Sequence, residues 1–276
     1  MASLPPVNAH GKPKLVFFGA GGAGEAYLGH SGVQPDFFVD NQISLHGTLL
    51  EGVPVHSPKT LAGADATDIV ITSGYVTEIR AQLRELGIPE SRISLAPKSM
   101  MGFHFFETLE VRERFATVLS RLFETLSNPG EMVASGGTAL GFWRESDFLH
   151  WDFDADFLTP THARAELTSV LEDSGVWNFS KSSDTEMVGE ISCGIGPPVP
   201  VGLKFFNAES SVYVDKYLEK AWTWPMEMLS QPAQVSVHGH HFFVPNPPEH
   251  YLSEVFGKDW STPRPIFTYD DYGGES

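Results

Sequence analysis

The chain has 276 residues, of which 41% are hydrophobic and 19% charged, a composition typical of soluble globular proteins with one large or two smaller domains. Its formal charge of −17 argues against binding to nucleic acid or to an anionic lipid surface, and its single cysteine excludes an intramolecular disulfide. No run of about 18 apolar residues predicts a membrane span, and residues 1–13 lack the features of a signal peptide. We therefore expect a cytoplasmic protein.

The first hundred residues alternate short apolar runs with helical patterns. The apolar runs predict buried strands at residues 14–19, 35–40 and 67–72. The helical patterns cover residues 24–28, where glycines at 29–32 are expected to interrupt the helix, and residues 76–86, where Gly87 is expected to end it. Strands that alternate with helices indicate a parallel α/β sheet, so we predict a small Rossmann-like domain over residues 1–100.

A glycine-rich turn follows the first predicted strand. Gly19, Gly21 and Gly24 fit the pattern G-x-G-x-x-G between a strand and a helix, where the helix amino end can hold a phosphate. Asp40 ends the second strand, where an acid can bind a ribose hydroxyl. The domain resembles Rossmann-like modules attached to sugar-modifying enzymes of bacterial polysaccharide pathways. Three roles stay open for it: a scaffold, a nucleotide or nucleotide-sugar site, and a redox site.

Residues 101–276 show an α+β pattern, and we place the junction between the two parts at residues 98–105. Apolar residues at helical spacing predict a helix over residues 106–127, which the Asn-Pro-Gly sequence at 128–130 ends. Three prolines predict a loop over residues 194–202, and an alternating pattern around His238 and Gly239 predicts a hairpin. The acidic residues 270–276 are expected to fray.

An acidic segment carries the clearest chemistry. Asp152, Asp154 and Asp156 alternate, so on one strand their side chains would share a face, where a divalent cation would relieve their repulsion. Magnesium is commonly held by one or two carboxylates together with substrate phosphates, which suits an Asp-x-Asp pair. A Gly-Gly-Thr turn at residues 136–138 is expected to offer backbone amides to phosphate oxygens. A solvated edge strand is the alternative interpretation of the three acids.

The Gly-Gly-Thr turn followed by Asp-x-Asp resembles the nucleotidyltransferase palm and, more narrowly, the LicD/fukutin family of phosphotransferases. Residues 137–156 match that family's pattern without insertion or deletion, at Gly137, Thr138, Leu140, Gly141, Arg144, Phe148, Trp151, Asp152, Asp154 and Asp156. The chain departs from the pattern at Glu145, His150 and Phe153. Residues 212–215 and 242–260 extend the resemblance, which covers about residues 104–265.

The resemblance implies a nucleotidyltransferase-like palm in residues 101–276 and an enzyme that moves a phospho-alcohol from a CDP-activated donor to a sugar or glycan hydroxyl in surface polysaccharide biosynthesis. It implies Mg²⁺ (or Mn²⁺) held by Asp154, Asp156 and Asp215. Asp215 would alternatively accept the acceptor's proton, and Asp152 would bind the metal, accept that proton or orient its neighbours. Arg144 and Lys204 would bind phosphate, and Arg144 is preferred because it lies inside the matched segment.

Three other functions stay open. A nucleotidyltransferase would use the same palm to form a CDP- or other NDP-activated compound. An NAD(P)-dependent oxidoreductase would use the glycine-rich turn, although the chain lacks a Tyr-x-x-x-Lys pair at Tyr213 and Lys216. A non-catalytic binding module would use both domains as scaffolds. A metal site at His238, His240 and His241 is disfavoured, because the last two point to opposite faces of the expected hairpin.

Overall fold

The computed structural model describes residues 15–62, 67–97, 100–102, 105–217, 220–263 and 272–274. The expectations for residues 1–13 and for most of residues 270–276 therefore lie outside the described residues. The chain is a mixed α/β protein with two compact units, residues 1–103 with 266–270 and residues 104–265 with 271–276. Within the described segments, no helix combines the length and the apolar character that crossing a bilayer requires.

The first unit is built on a six-stranded sheet. Its strands are β1 (Leu15–Phe18), β2 (Phe37–Val39), β3 (Leu49–Leu50), β4 (Val53–His56), β5 (Asp68–Ile71) and β6 (Ile93–Leu95). They lie in the order β3-β4-β2-β1-β5-β6, and all neighbours are parallel except the β3–β4 pair. Helix α1 (Gly22–Ser31) follows β1, and helix α2 (Val76–Glu85) follows β5. The expected parallel α/β sheet is confirmed.

Buried aromatic side chains hold this sheet and α1 together. The ring of Phe17 on β1 lies 4.9 Å from that of Tyr27 on α1 and 5.5 Å from that of Phe38 on β2. All three side chains are buried. Strands covered on both faces read as continuous apolar runs, which is why the sequence pattern located β1, β2 and β5.

Helix α1 is longer than expected. It continues through Gly29 to Ser31, and Gly32 ends it with a left-handed φ of 64°. The expected interruption over residues 29–32 is therefore wrong, because an exposed glycine inside a helix costs only about 1 kcal/mol relative to alanine. Helix α2 ends as expected before Gly87, whose φ is 81° and whose N–H donates to the Arg84 carbonyl.

The second unit contains nine described strands. They are β7 (Val133–Ala134), β8 (Ala155–Pro160), β9 (Trp177–Ser182), β10 (Glu186–Ile191), β11 (Val199–Phe206), β12 (Val212–Tyr217), β13 (Lys220–Pro225), β14 (Ala233–Val237) and β15 (His240–Val244). Seven of them form a mixed sheet in the order β14-β15-β7-β8-β11-β10-β9, in which β8 and β11 are parallel. Strands β12 and β13 form a separate antiparallel pair. The expected hairpin is confirmed, with His238 and Gly239 between β14 and β15.

The described part of this unit also has five α-helices, namely α3 (Leu109–Glu124), α4 (Gly136–Glu145), α5 (Arg164–Asp173), α6 (Glu227–Ser230) and α7 (Pro248–Phe256). Helix α3 is the helix expected over residues 106–127, and it is shorter at both ends. Thr108 caps its amino end by accepting a hydrogen bond from the Val111 N–H, so the regular turns begin only at Leu109. Phe115 of α3 packs against the rings of Phe106 and Phe148.

Strand β11 overturns part of the loop expected over residues 194–202. The strand begins at Val199, and Pro200 lies opposite Glu190 of β10. Pairing with β8 starts only at Val201, so Pro200 lies beyond the point at which β8 pairs with this strand. Proline has no N–H to donate, and it is tolerated at this position because β8 does not pair with the strand there. Gly202 and Lys204 consequently lie in a central strand of the sheet.

Candidate active site

The Gly-Gly-Thr sequence begins helix α4 instead of forming the separate turn that the sequence analysis expected. Ser135 has an extended backbone before the helix, and Gly136 has a left-handed φ of 53°. The N–H of Gly136 donates a hydrogen bond of 2.9 Å to Oη of Tyr251, which lies on α7 and is buried. One of the amides expected to receive phosphate oxygens is therefore already bound to a tyrosine.

The three aspartates are not all on one strand. Asp156 is the second residue of β8, whereas Asp152 and Asp154 precede the strand, and all three are half-buried. Asp152 closes a turn, since its N–H donates to the Leu149 carbonyl and its Oδ1 accepts from the Phe153 N–H. The expectation that strand geometry alone aligns the three side chains is therefore wrong, because the ladder begins only at Ala155.

Two glycines make room for the carboxylates. A β-carbon placed on Gly137 of α4 would lie 2.2 Å from Oδ2 of Asp152, and one placed on Gly202 of β11 would lie 2.3 Å from Oδ1 of Asp156. The pairing of β11 with β8 sets Gly202 directly opposite Asp156. Thr138 adds a link, because its Oγ1 accepts a 2.9 Å hydrogen bond from the Asp156 N–H. The start of α4 and the start of β8 thus form one acidic site.

A lysine and a tyrosine hold the carboxylate of Asp215. Asp215 lies on β12, where it is only 8% exposed, which excludes a solvent-facing position. Nζ of Lys204 donates a 2.8 Å hydrogen bond to its Oδ1, and the hydroxyl of Tyr213 also hydrogen-bonds to the carboxylate. Asp215 is therefore neutralised by a cation that the chain itself supplies.

The charges around Lys204 and the two tyrosines fix their protonation. Burial alone would lower the pKa of Lys204, but the carboxylates of Asp215, Asp156 and Glu186 outweigh it and raise that pKa. Burial, reinforced by Asp215, raises the pKa of both Tyr213 and Tyr251. At neutral pH the site therefore contains a charged ammonium group and two neutral phenols.

A cavity of about 330 Å³ lies beside the Lys204–Asp215 pair. Its walls are formed by Thr185, Glu186, Lys204, Phe205, Tyr213, Val214, Asp215 and Lys216. Cavities that bind small molecules commonly have volumes in the range of about 300–1,000 Å³. Its wall offers an aromatic ring, a hydroxyl, carboxylates and ammonium groups, a set that suits a polyhydroxylated ligand.

Arg144 is engaged by protein groups. Its Nη2 lies 2.7 Å from Oε1 of Glu145, its Nη1 donates to the Trp260 carbonyl at 2.9 Å, and its guanidinium lies over the ring of Trp151. The side chain is only 9% exposed. These contacts give Arg144 a structural role and leave it engaged, so the expected phosphate binding by Arg144 is not supported. Lys204 lies beside a carboxylate, that of Asp215.

The ligand set expected for a metal ion is assembled only in part. Among the described residues, no three His, Cys, Asp or Glu side chains are grouped closely enough to hold a metal ion. Asp215, expected as the third ligand, is bound by Lys204 instead. Asp154 and Asp156 are hard oxygen donors of the kind that magnesium accepts in pairs alongside substrate phosphates. The donor chemistry of this pair therefore fits Mg²⁺ (or Mn²⁺), and binding of the ion stays a prediction.

Two of the histidines near the β14–β15 turn, His238 and His240, make hydrogen-bond contacts with protein side chains. Nε2 of His238 lies 2.6 Å from Oδ1 of Asp147, whose Oδ2 accepts from Nε of Arg112. Nε2 of His240 lies 3.1 Å from Oγ1 of Thr117. These contacts tie the hairpin to α3 and to the segment after α4.

In the first unit, the glycine-rich turn is shaped by packing at two positions and open at a third. A β-carbon on Gly19, whose φ is 120°, would lie 2.6 Å from the Thr72 carbonyl oxygen, and one on Gly24 would lie 2.0 Å from the Gly19 oxygen. A β-carbon on Gly21 would meet no atom within 4 Å, so the amino end of α1 is open at this point.

Asp40 braces this turn. Its Oδ2 accepts a hydrogen bond of 2.7 Å from the Ala20 N–H, and its Oδ1 accepts one of 2.7 Å from the Gln42 N–H. The carboxylate therefore has a structural task at the end of β2. Its expected role toward a ribose hydroxyl stays a prediction, as does phosphate binding by Gly19, Gly21 and Gly24.

Several residues of the acidic site carry no signal that local sequence patterns revealed. Gly202 was assigned to a loop, although a glycine inside a strand often marks the close approach of another group. The interactions of Tyr213 and Tyr251 with the carboxylates likewise carry no such signal. The partner of Tyr251, Gly136, lies 115 residues away in the chain, so no local pattern connects them.

No protein-family model matches the chain, and no curated protein sequence matches it. Among solved structures, UDP-D-quinovosamine 4-dehydrogenase from Vibrio fischeri is similar over 31% of this chain and 79% of its own, with 22% identity and a TM-score of 0.25. ANT(2")-Ia, solved in complex with adenylyl-2"-tobramycin, is similar over 49% of this chain and 68% of its own, with 15% identity and a TM-score of 0.34. Neither similarity is specific for the LicD/fukutin family.

Proposed function

We propose that the chain is a metal-dependent phosphotransferase of LicD/fukutin type, which moves a phospho-alcohol group from a CDP-activated donor to a sugar or glycan hydroxyl. The observation that carries this proposal is the junction of α4 with the acidic segment, where Gly137 faces Asp152 and Gly202 faces Asp156. This junction sets carboxylates beside the amino end of a helix, a combination that can hold a cation and phosphate oxygens together.

The order of the strands and helices supports a nucleotide-binding role for the first unit and a palm in the second. Without the short β3, the strand order β4-β2-β1-β5-β6 matches the first five positions of the Rossmann order 3-2-1-4-5-6, a fold in which a phosphate lies at the turn between the first strand and the first helix. We therefore propose that this turn takes a nucleotide or a nucleotide-sugar, with a scaffold as the alternative role. In residues 101–276, a helix that begins with Gly-Gly and a following strand that carries Asp156 support a nucleotidyltransferase-like palm.

Each residue has a defined task in the proposed transfer. Asp154 and Asp156 would hold the divalent cation, which when bound neutralises charge on the donor diphosphate. Lys204 would bind a phosphate oxygen through its ammonium group. The acceptor would lie in the cavity of about 330 Å³, where Asp215 would accept the proton of its hydroxyl. Asp152, which does not line this cavity, is the alternative base.

The test is a mass-spectrometric screen of CDP-linked donors with Mg²⁺, scored by the formation of CMP. Asp154→Asn and Asp156→Asn should each lower CMP formation by about 100-fold or more while the circular dichroism spectrum is unchanged. Asp173→Asn, at the exposed carboxyl end of α5, is the matched control and should retain activity. Full activity in both active-site variants would refute the assignment.

The same junction of α4 and β8 also fits a nucleotidyltransferase that forms a CDP- or other NDP-activated compound. The two activities differ in the leaving group, because a nucleotidyltransferase releases pyrophosphate from a nucleoside triphosphate. Incubation with CTP and candidate phospho-alcohols therefore separates them. Pyrophosphate without CMP would favour the second function, and CMP from a CDP-linked donor would favour the first.

A further inference from the structure

We infer that the ammonium group of Lys204 occupies the place of a second metal ion in the acidic site and excludes Asp215 from the coordination of any divalent cation. The inference rests on the proposed function for the assignment of the remaining cation to Asp154 and Asp156. It predicts a site for one metal ion, assisted by a fixed positive charge.

The position of Lys204 follows from the register of β11. Gly202 is paired with Asp156, and Lys204 is two residues further along the same strand, so its side chain leaves the same face of the sheet. The carboxylate of Asp156 lies in the space over Gly202, as the 2.3 Å distance from a β-carbon there shows. The ammonium group and this carboxylate therefore share one face, and the negative charge of Asp156 acts on Lys204.

The contact with Asp215 shows what the ammonium group does there. Nζ of Lys204 is 2.8 Å from Oδ1 of Asp215, whose side chain is 12% exposed, and Tyr213 binds the same carboxylate. A divalent cation would have to displace the ammonium group to reach that oxygen, and it would meet the repulsion of a positive charge at close range. Asp215 is thus unavailable as a third ligand while Lys204 is charged.

Two-metal phosphoryl-transfer sites place two ions about 3.5–4 Å apart to stabilise the attacking and leaving oxygens. In this chain, a lysine that emerges beside Asp156 and binds Asp215 can provide one of those charges without an ion.

The test is a titration of the full chain with Mn²⁺ alone, with free Mn²⁺ measured by electron paramagnetic resonance. The wild type should bind no more than one Mn²⁺ per chain at this site, and Asp156→Asn should weaken that binding by about 10-fold or more. Asp215→Asn should leave it within about twofold, because Asp215 is not a ligand. Lys204→Met should bind one additional Mn²⁺ per chain or bind Mn²⁺ about 10-fold more tightly, since Asp215 is then released.

Two further variants act as controls. Lys216→Met removes the exposed neighbouring lysine that also borders the cavity, and Lys204→Arg keeps a cation at the site. Both should bind Mn²⁺ as the wild type does. Thermal unfolding followed by circular dichroism reports whether each variant folds, and if Lys204→Met does not fold, the comparison of Asp215→Asn with Asp156→Asn decides.

Any of three results would overturn the inference: two Mn²⁺ ions bound at this site in the wild type, equal weakening by Asp215→Asn and Asp156→Asn, or no gain in folded Lys204→Met. A wild type that binds no Mn²⁺ supports the inference if Lys204→Met gains binding and overturns it otherwise. The proposed function fails separately, when no CDP-linked donor yields CMP, so the two failures can be told apart.

Discussion

Gly137 and Gly141 lie one turn apart on α4, and a methyl group would meet different neighbours at the two positions. At Gly141 a β-carbon would lie 2.6 Å from the Asp147 carbonyl oxygen and 3.0 Å from the Leu149 nitrogen. Backbone atoms cannot withdraw as a side chain can, so we expect Gly141→Ala to lower the free energy of unfolding by about 2 kcal/mol. Urea unfolding measures this, and Gly130→Ala, where the nearest atom is 3.4 Å away, is the control.

Gly137→Ala should affect function more than stability. The atom that its β-carbon would meet is the carboxylate oxygen of Asp152, the end of a side chain, and alanine favours a helix by about 1 kcal/mol over glycine. We expect the urea midpoint to change little, while CMP formation falls by about 10-fold or more because the carboxylate is displaced. Activity equal to that of Gly130→Ala would show that Asp152 needs no fixed position.

At the scale of elements, α1 offers two glycines with opposite expected effects. Gly29 lies inside the helix with nothing within 4 Å of a β-carbon, whereas Gly32 ends the helix with a φ of 64°. Gly29→Ala should raise the free energy of unfolding by about 0.5–1 kcal/mol, and Gly32→Ala should lower it by about 1 kcal/mol. Urea unfolding of the two variants, side by side, gives the comparison. Equal effects would contradict the boundary of α1 at Ser31.

The elements that were predictable from sequence are those whose signal is local. The apolar runs of β1, β2 and β5, the end of α2 before Gly87, and the turn at His238 and Gly239 each depend on a few adjacent residues. The β3–β4 hairpin was missed, because strands of two and four residues are too short to show a period. Its turn residues, Glu51 and Gly52, both have positive φ in the structure.

The acidic site was predictable in its residue types but only partly in its geometry. The spacing of Asp152, Asp154 and Asp156 marked the segment, yet the support for it comes from distant parts of the chain. Tyr251 reaches Gly136 across 115 residues, and the tie between Lys204 and Asp215 depends on how β12 lies against β11. Such contacts follow from tertiary packing, which a local pattern does not encode.

At the scale of the whole molecule, the free energy of unfolding should fall as the pH rises above about 10. The folded chain raises the pKa of Tyr213 and Tyr251, chiefly through burial, and raises that of Lys204 through its carboxylate neighbours. An unfolded tyrosine loses its proton near pH 10 while the folded one retains it, so unfolding releases protons there. The stability is fully present below that pH, and each such proton steepens its loss by about 1.4 kcal/mol per pH unit.

Urea unfolding between about pH 8 and about pH 11 measures this loss. Tyr213→Phe and Tyr251→Phe should each flatten the dependence, because phenylalanine has no proton to release. Tyr75→Phe is the control, since Tyr75 is 72% exposed, and it should leave the slope as in the wild type. An unchanged slope in both buried-tyrosine variants would contradict a raised pKa of Tyr213 and Tyr251 in the folded chain.

Strand β9 forms one margin of the seven-stranded sheet, and its side chains are mostly exposed, with Phe179 at 59%. Its pairing with β10 shifts between Val188 and Gly189, so that Ser180 has no counterpart. Lys181 lies next to this irregularity, with Nζ 3.3 Å from Oε2 of Glu186. A bulge and a lysine on an edge strand disfavour its pairing with a strand of another molecule. Crowded solutions of this protein should accordingly resist self-association through this strand, and replacing Lys181 should weaken that resistance.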